Sequence, residues 1–118
     1  MKLPGPDHPI TVEPVSGRMT VKAGDEVIVS TGHALVMRES SYPPVYYFPL
    51  EDADMDRLEA SDHSTHCPYK GDASYYSIPV LGEAGQNAVW TYETPFSAVA
   101  DIVGHLAFYP DRVTIEAE

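Results

Sequence analysis

Turn-forming residues interrupt this chain so often that long helices are not expected. Eight glycines and eleven prolines are spread over 118 residues, and both residue types end regular elements or bend the chain between them. The segments that they separate are short, and most alternate apolar and polar side chains, which is the period-two pattern of a half-buried strand. We therefore expect a mainly β fold of short strands with one or two short helices.

Eight segments have the composition and alternation of strands, and the first three read as an antiparallel meander. They are residues 10–15, 18–22, 26–30, 34–38, 45–48, 74–80, 88–92 and 113–115. The run 34–38 is short enough to be one helical turn instead. Residues 82–85 predict a hairpin connection between two of the strands, and the polar residues 61–71 predict a loop.

Two segments favour short helices. Carboxylates crowd the start of residues 51–60, where the helix dipole stabilises them, and Asp52 is a suitable N-cap. Met55 and Leu58 would then share one apolar face. Residues 96–103 are the second candidate, with Gly104 at the C-terminal end.

Length and charge limit the classes of function. The 118 residues are the size of one domain, which we place at residues 1–118, and 43% of them are hydrophobic, enough for a core. The formal net charge is −11, so nucleic acids and anionic membrane surfaces are not expected as partners. The chain starts without an apolar leader and contains one cysteine, Cys67, so we expect a cytoplasmic protein without a disulfide.

Five sequence strings resemble signatures of the domain of unknown function 427 family. They are H-P-I-T-V at 8–12, Y-Y-F-P-L-E-D at 46–52, T-H-C-P-Y-K-G-D-A-S-Y-Y at 65–76, N-A-V-W-T-Y at 87–92 and G-H-L-A-F-Y-P at 104–110. The resemblance covers nearly the whole chain. It implies a compact fold of coiled antiparallel sheets, of the β-tent or Mss4-like group that includes zinc proteins and methionine sulfoxide reductases, and it implies no established activity.

The family sometimes carries a nucleotidyltransferase-like label, which the residues do not support. Asp52 and Asp54 are spaced like a pair of metal-binding acids, but they suit a helix start, and no glycine-rich phosphate loop is present. Zinc-binding relatives use pairs of C-x-x-C, which one cysteine cannot supply. The run from Asp52 to Asp56 begins like a calcium loop but has Arg57 where that loop needs glycine. We therefore expect no metal and no cofactor.

Three residues of the motifs are candidate catalytic groups. Cys67 is the candidate nucleophile, His105 the candidate base, and Lys70 the candidate anion holder. Each has a structural alternative: Cys67 packs in the core, His105 caps a helix end, and Lys70 is a solvated surface lysine.

Aromatic residues are concentrated in the same motifs. The candidate ligand-binding residues are Tyr47, Tyr69, Tyr75, Tyr76, Trp90 and Tyr109. Such rings line either a core or a pocket, because each joins a large apolar body to a polar tip. The leading hypothesis is a domain that binds or transforms a small molecule. The rival is a non-catalytic interaction or structural module, as a homodimer for example, in which the motifs determine the fold.

Overall fold

The computed structural model describes residues 1–118, and it confirms a mainly β fold. The chain forms ten strands and four short 3₁₀ segments. The strands are β1 Ile10–Pro14, β2 Met19–Ala23, β3 Glu26–Thr31, β4 Leu35–Glu39, β5 Val45–Pro49, β6 Glu59–Cys67, β7 Gly71–Ser77, β8 Val89–Tyr92, β9 His105–Phe108 and β10 Thr114–Ala117. The 3₁₀ segments are Leu50–Asp52, Met55–Arg57, Pro79–Gly85 and Ser97–Ile102. None of the helical segments is long and apolar enough to cross a membrane.

The strands form two antiparallel sheets. The larger sheet has the order β1-β4-β5-β9-β8-β7-β6, and the smaller has the order β10-β2-β3. The predicted meander of the first three strands is wrong in one respect, because β2 pairs with β3 but β1 pairs with β4 in the other sheet. The pairing of Val12 with Met37 puts both side chains on the same face, where the half-buried Ile10 and Val12 of β1 pack against the cluster around Met37. Local alternation identifies a strand but not its partner.

The predicted helix over residues 51–60 is replaced by two 3₁₀ turns and the start of β6. Within this segment, the backbone makes only the short-range bonds of the 3₁₀ turns, such as that from the Ala53 N–H to the Leu50 carbonyl. It also bonds to β3, since the Asp54 N–H donates to the Ile28 carbonyl over 2.7 Å and Ala53 bridges to Val29. Asp52 caps no helix, because its carboxylate accepts a 2.7 Å hydrogen bond from the Thr31 hydroxyl. Tertiary hydrogen bonds therefore override the helical pattern.

The polar segment predicted as a loop is mostly strand β6, at the edge of the larger sheet. It pairs with β7 and is exposed along most of its length, which explains its polar composition. The connection predicted as a hairpin lies within the 3₁₀ segment Pro79–Gly85. The second predicted helix is present as the 3₁₀ segment Ser97–Ile102, and Gly104 follows it with a φ of +71°.

Each face of the larger sheet carries its own hydrophobic cluster. On one face, Phe48, Val89, Leu106 and Phe108 pack against the smaller sheet. The opposite face is richer in tyrosine and is covered partly by the 3₁₀ segment Ser97–Ile102. Its buried members are Met37, Tyr47, Ala73, Tyr75, Tyr92, Val99, Ile102 and Ala107. The aromatic residues of the motifs are therefore divided between the two faces, with Tyr47, Tyr75, Trp90 and Tyr92 on the second.

Candidate ligand-binding site

Strands β5 and β9 separate after a short contact. They pair only at Phe48 with Leu106 and at Pro49 with His105. Tyr47 continues to pair with β4, and Ala107 continues to pair with β8, but the two residues do not pair with each other. The larger sheet is therefore split at its centre, between the first half of β5 and the end of β9.

A cavity of about 640 Å³ occupies this split. Its wall is mainly apolar and aromatic, and both sheets contribute to it. The wall is formed by Met19, Met37, Glu39, Tyr42, Pro43, Pro44, Val45, Tyr46, Tyr47, Lys70, Tyr75, Trp90, Tyr92, Phe108, Tyr109, Pro110, Ile115 and Ala117. Buried side chains such as Tyr47 form the floor, whereas Tyr42 and Tyr109 are exposed and stand at the mouth. Its volume and its mainly apolar wall fall within the range of small-molecule sites in proteins.

The tyrosines of the wall contact neighbouring side chains, and the phenol groups of Tyr47 and Tyr92 have raised pKa values. The hydroxyl of Tyr75 shares a 3.0 Å hydrogen bond with Thr65, and Trp90 packs on Tyr109 with 4.7 Å between ring centroids. Burial raises the pKa of Tyr47, and a hydrogen bond from Trp90 offsets only part of that effect. Burial also raises the pKa of Tyr92. These hydroxyls therefore remain neutral hydrogen-bond donors at physiological pH.

One ion pair forms the charged part of the wall. The Lys70 ammonium donates to Glu39 Oε1 over 2.5 Å, and both side chains are largely buried, at 13% and 14% exposure. Burial by itself would raise the pKa of Glu39, but hydrogen bonds and charge from Lys70 and His8 outweigh it, so the pKa is lowered. Glu39 is therefore ionised at neutral pH and holds Lys70 in place.

The N-terminal segment supports this ion pair from outside the cavity. The His8 Nε2–H donates to Glu39 Oε2 over 2.8 Å, and its ring stacks on Tyr69 with 3.9 Å between centroids. The Lys2 backbone N–H also donates to the Pro68 carbonyl, beside the β6–β7 turn. The first ten residues thus tie β4 to the turn that carries Lys70.

The three candidate catalytic residues occupy different surroundings. Lys70 lies in the cavity wall, whereas Cys67 is half-buried and packs against the aromatic cluster at its edge. His105 begins β9 outside the wall, and its Nδ1–H donates to the Val103 carbonyl over 2.8 Å. Val103 follows the 3₁₀ segment, so this bond has the geometry of the capping alternative. A relay between Cys67 and His105 stays a prediction.

Four of the six candidate ligand-binding residues line the cavity. They are Tyr47, Tyr75, Trp90 and Tyr109. Tyr69 instead packs under His8, and Tyr76 packs against the core between the sheets. The separation of Tyr75 from Tyr76 follows from strand alternation, since consecutive side chains point to opposite faces. That ligands contact these residues stays a prediction.

The sequence motifs did not identify Glu39, His8, Tyr42 and Tyr92 as site residues. Tyr92 carried a signal, because it lies two residues after Trp90 and so shares its face of β8. Glu39 carried none: it lies 31 residues from both His8 and Lys70. His8, Glu39 and Lys70 meet only because β1 pairs with β4 and the β6–β7 turn lies beside them.

The structure contains no group of three or more His, Cys, Asp or Glu side chains arranged to hold a metal ion. The two histidines of β6, His63 and His66, contact other side chains instead. The His63 ring packs edge-on against Tyr75, and the His66 Nδ1–H donates to Asp72 over 2.7 Å.

Comparison with known proteins identifies the family. No curated protein matches the chain in sequence. The model of a family described as a domain of unknown function, DUF427, matches residues 11–118, which is essentially the full length. The matched region contains all ten strands, except for Ile10 at the start of β1. The chain therefore belongs to the DUF427 family.

Proposed function

We propose that this chain is a binding domain for a small organic molecule, which occupies the cavity between β5 and β9. The observation that carries the proposal is a formed concave cavity whose wall joins aromatic rings to one buried ion pair. Apolar surface removed from water is worth about 25 cal/mol per Å², and a few fixed polar groups orient the bound molecule.

The cavity supports binding more directly than catalysis. A nucleophile and its base must come within hydrogen-bond reach of each other. Here His105 donates to a backbone carbonyl, and neither His105 nor Cys67 belongs to the wall. A reaction at Cys67 remains the alternative within the same proposal, because the thiol packs against the same aromatic cluster.

A blocking substitution tests the cavity directly. Trp90 is the single tryptophan and lies in the wall, so its fluorescence reports on occupancy. We expect a two-ring aromatic probe, 2-quinolinone, to change this emission saturably. Val45→Trp, in the wall, should weaken binding at least about tenfold, a loss of about 1.4 kcal/mol, as measured by calorimetry.

The matched control is Val27→Trp, which adds the same side chain at an exposed position on β3, outside the wall. We expect this variant to bind the probe like the unmodified protein. Equal loss in both variants, or no effect of either, would contradict the location of the site.

Three further properties belong to the same proposal. The protein acts in the cytoplasm, where the lone thiol of Cys67 stays reduced. The coiled antiparallel sheets are of the β-tent, Mss4-like type that the sequence resemblance implies. The competing function is a homodimeric interaction module, for which the exposed rings of Tyr42 and Tyr109 at the cavity mouth would supply the contact.

A further inference from the structure

The polar groups of the cavity have no net charge. Glu39 and Lys70 are the two charged residues of the wall, and they neutralise each other through their ion pair. A charged ligand group buried here would lack a compensating partner, which is costly in a largely apolar site. The charge balance therefore favours a ligand that is uncharged at this end.

Both residues of the ion pair, Lys70 and Glu39, can form further hydrogen bonds. Lys70 has three N–H donors, and one is directed to Glu39. Each carboxylate oxygen of Glu39 accepts one hydrogen bond, from Lys70 or from His8, and each has a second lone pair. A donor and an acceptor thus stand side by side in the wall.

The hydroxyl of Tyr92 supplies a second donor. Tyr92 lines the cavity and is only 6% exposed, and its hydroxyl makes no hydrogen bond to another side chain or to the backbone. Every fully buried side-chain polar atom of the protein has a hydrogen-bond partner, so this unpartnered hydroxyl is not fully buried. The hydroxyl therefore faces the open space of the cavity rather than the packed core. Tyr47 and Tyr75 line the same cavity and belong with Tyr92 to one hydrophobic cluster.

We propose that the ligand is an uncharged, planar heteroaromatic compound with a ring carbonyl next to a ring N–H, the arrangement of a cyclic lactam. The carbonyl accepts from Lys70 or Tyr92, and the N–H donates to Glu39. The flat ring packs against the aromatic wall, where offset or edge-on contacts with the tyrosines and Trp90 add to its burial. This inference rests on the proposed binding function and names its ligand class.

A panel of probes on one two-ring scaffold tests the ligand class. The probes are 2-quinolinone, which has the carbonyl and the N–H, quinoline, which has an acceptor only, naphthalene, which has neither, and the charged 2-naphthoate and 2-naphthyltrimethylammonium. We expect calorimetry to show 2-quinolinone binding about tenfold or more tightly than each of the others, which corresponds to about 1.4 kcal/mol. Equal affinities across the panel, or a charged probe that binds most tightly, would overturn the proposal.

Removal of the ion pair gives the matched variant. Glu39→Leu combined with Lys70→Met deletes both charges together, so neither is left buried and unpaired. We expect 2-quinolinone to lose about tenfold in affinity while the affinity for naphthalene stays unchanged. Tyr92→Phe, which removes only the hydroxyl, should lower the affinity for 2-quinolinone about threefold or more and tests the same point if the double variant does not fold.

The results separate this inference from the proposed function. If naphthalene and 2-quinolinone bind equally and Val45→Trp blocks both, the cavity binds ligands but the lactam preference is wrong. If no probe binds, the proposed function fails and the ligand class fails with it.

Discussion

At the scale of single residues, the surroundings decide what Glu39 does. It stands at the end of β4, where a glutamate would ordinarily be solvated. Here the Lys70 ammonium and the His8 imidazole approach its two oxygens, and 14% of the side chain stays exposed. The carboxylate therefore serves as the centre of a buried polar group that joins the N-terminal segment, β4 and the β6–β7 turn.

The first prediction concerns acid. Because the pKa of Glu39 is lowered in the folded protein, its contribution to stability is complete above the ordinary carboxyl range near pH 4.3 and is lost as the pH falls through the folded pKa. Glu39→Gln should cost about 1 kcal/mol at pH 7, less than a fully buried pair would, since solvent reaches the cavity mouth.

Urea unfolding at pH 7 and near pH 3 measures this difference. We expect the difference in unfolding free energy between the two proteins to narrow at the acidic pH, because the contribution of ionised Glu39 is lost as the pH falls through its lowered pKa. A gap that stays constant with pH would show that the ionised form of Glu39 does not stabilise the fold.

The second prediction concerns Cys67, the only thiol. Its side chain is half-buried and packs against the aromatic cluster, so we expect iodoacetamide to alkylate the folded protein at least about tenfold more slowly than the urea-unfolded protein at pH 8. Mass spectrometry counts the adduct. Alkylation of the folded protein as fast as that of the unfolded chain would instead support Cys67 as a nucleophile.

At the scale of elements, neighbours decide which conformation a segment takes. The acidic residues after β5 have the composition of a helix start, but they form two 3₁₀ turns, and the Asp54 N–H between the turns donates to the Ile28 carbonyl of β3. The cavity forms where β5 separates from β9. Each strand has another partner, β4 or β8, so the sheet tolerates the split.

The third prediction tests the connection between β7 and β8. Gly85 lies against the preceding chain, and a Cβ there would be 2.2 Å from the Ile78 carbonyl oxygen. Gly85→Ala therefore forces the backbone to move, and we expect it to destabilise the protein by about 2 kcal/mol or more in urea unfolding.

Gly32→Ala is the control for this substitution, because nothing lies within 4 Å of its added Cβ and its φ is not positive. We expect a change of about 0.5 kcal/mol or less. A similar loss in both variants would mean that the close approach at Gly85 is not what the fold requires.

At the scale of the whole molecule, the larger sheet has a hydrophobic cluster on each of its two faces. The face toward the smaller sheet carries the aliphatic and phenylalanine core, and the other face carries the tyrosine cluster beside the cavity. Residues from both sheets line the cavity, such as Met19 and Met37, so a ligand bound there would contact both sheets. Binding should therefore stabilise the domain as a unit.

The fourth prediction follows from this arrangement. A ligand that binds only the folded state, present at 100 times its Kd, adds about 2.7 kcal/mol to the free energy of unfolding. We expect 2-quinolinone at that excess to raise Tm by roughly 10 °C in scanning calorimetry. Val45→Trp, which adds a large side chain to the cavity wall, should show no such rise, and a shift of the same size in this variant would place the binding elsewhere.

The fifth prediction addresses the competing homodimer. If the exposed rings at the cavity mouth form a contact between copies, sedimentation equilibrium should give a mass twice that of one chain. Tyr42→Ser with Tyr109→Ser should then return the mass to that of a monomer, because both side chains are exposed in one copy. A monomer at all concentrations would leave the cavity as the functional surface.

The sequence by itself determined the class of fold and the residues from which the site is drawn. Frequent glycine and proline and period-two alternation depend on local sterics and on solvent exposure, so they predicted eight of the ten strands near their observed positions, with residues 34–38 left open to a helical turn. Four of the six candidate ligand-binding residues line the cavity wall. The family resemblance was confirmed over residues 11–118.

Only the tertiary structure decided how these parts combine. The pairing of β1 with β4, the loss of the predicted helix and the meeting of His8, Glu39 and Lys70 all depend on contacts between residues 21 to 31 positions apart. Local patterns carry no information about such partners, because a strand or a charged side chain looks the same in sequence whichever neighbour it finds. The split between β5 and β9 belongs to the same class, since it is set by which residues of two distant strands pair and which do not.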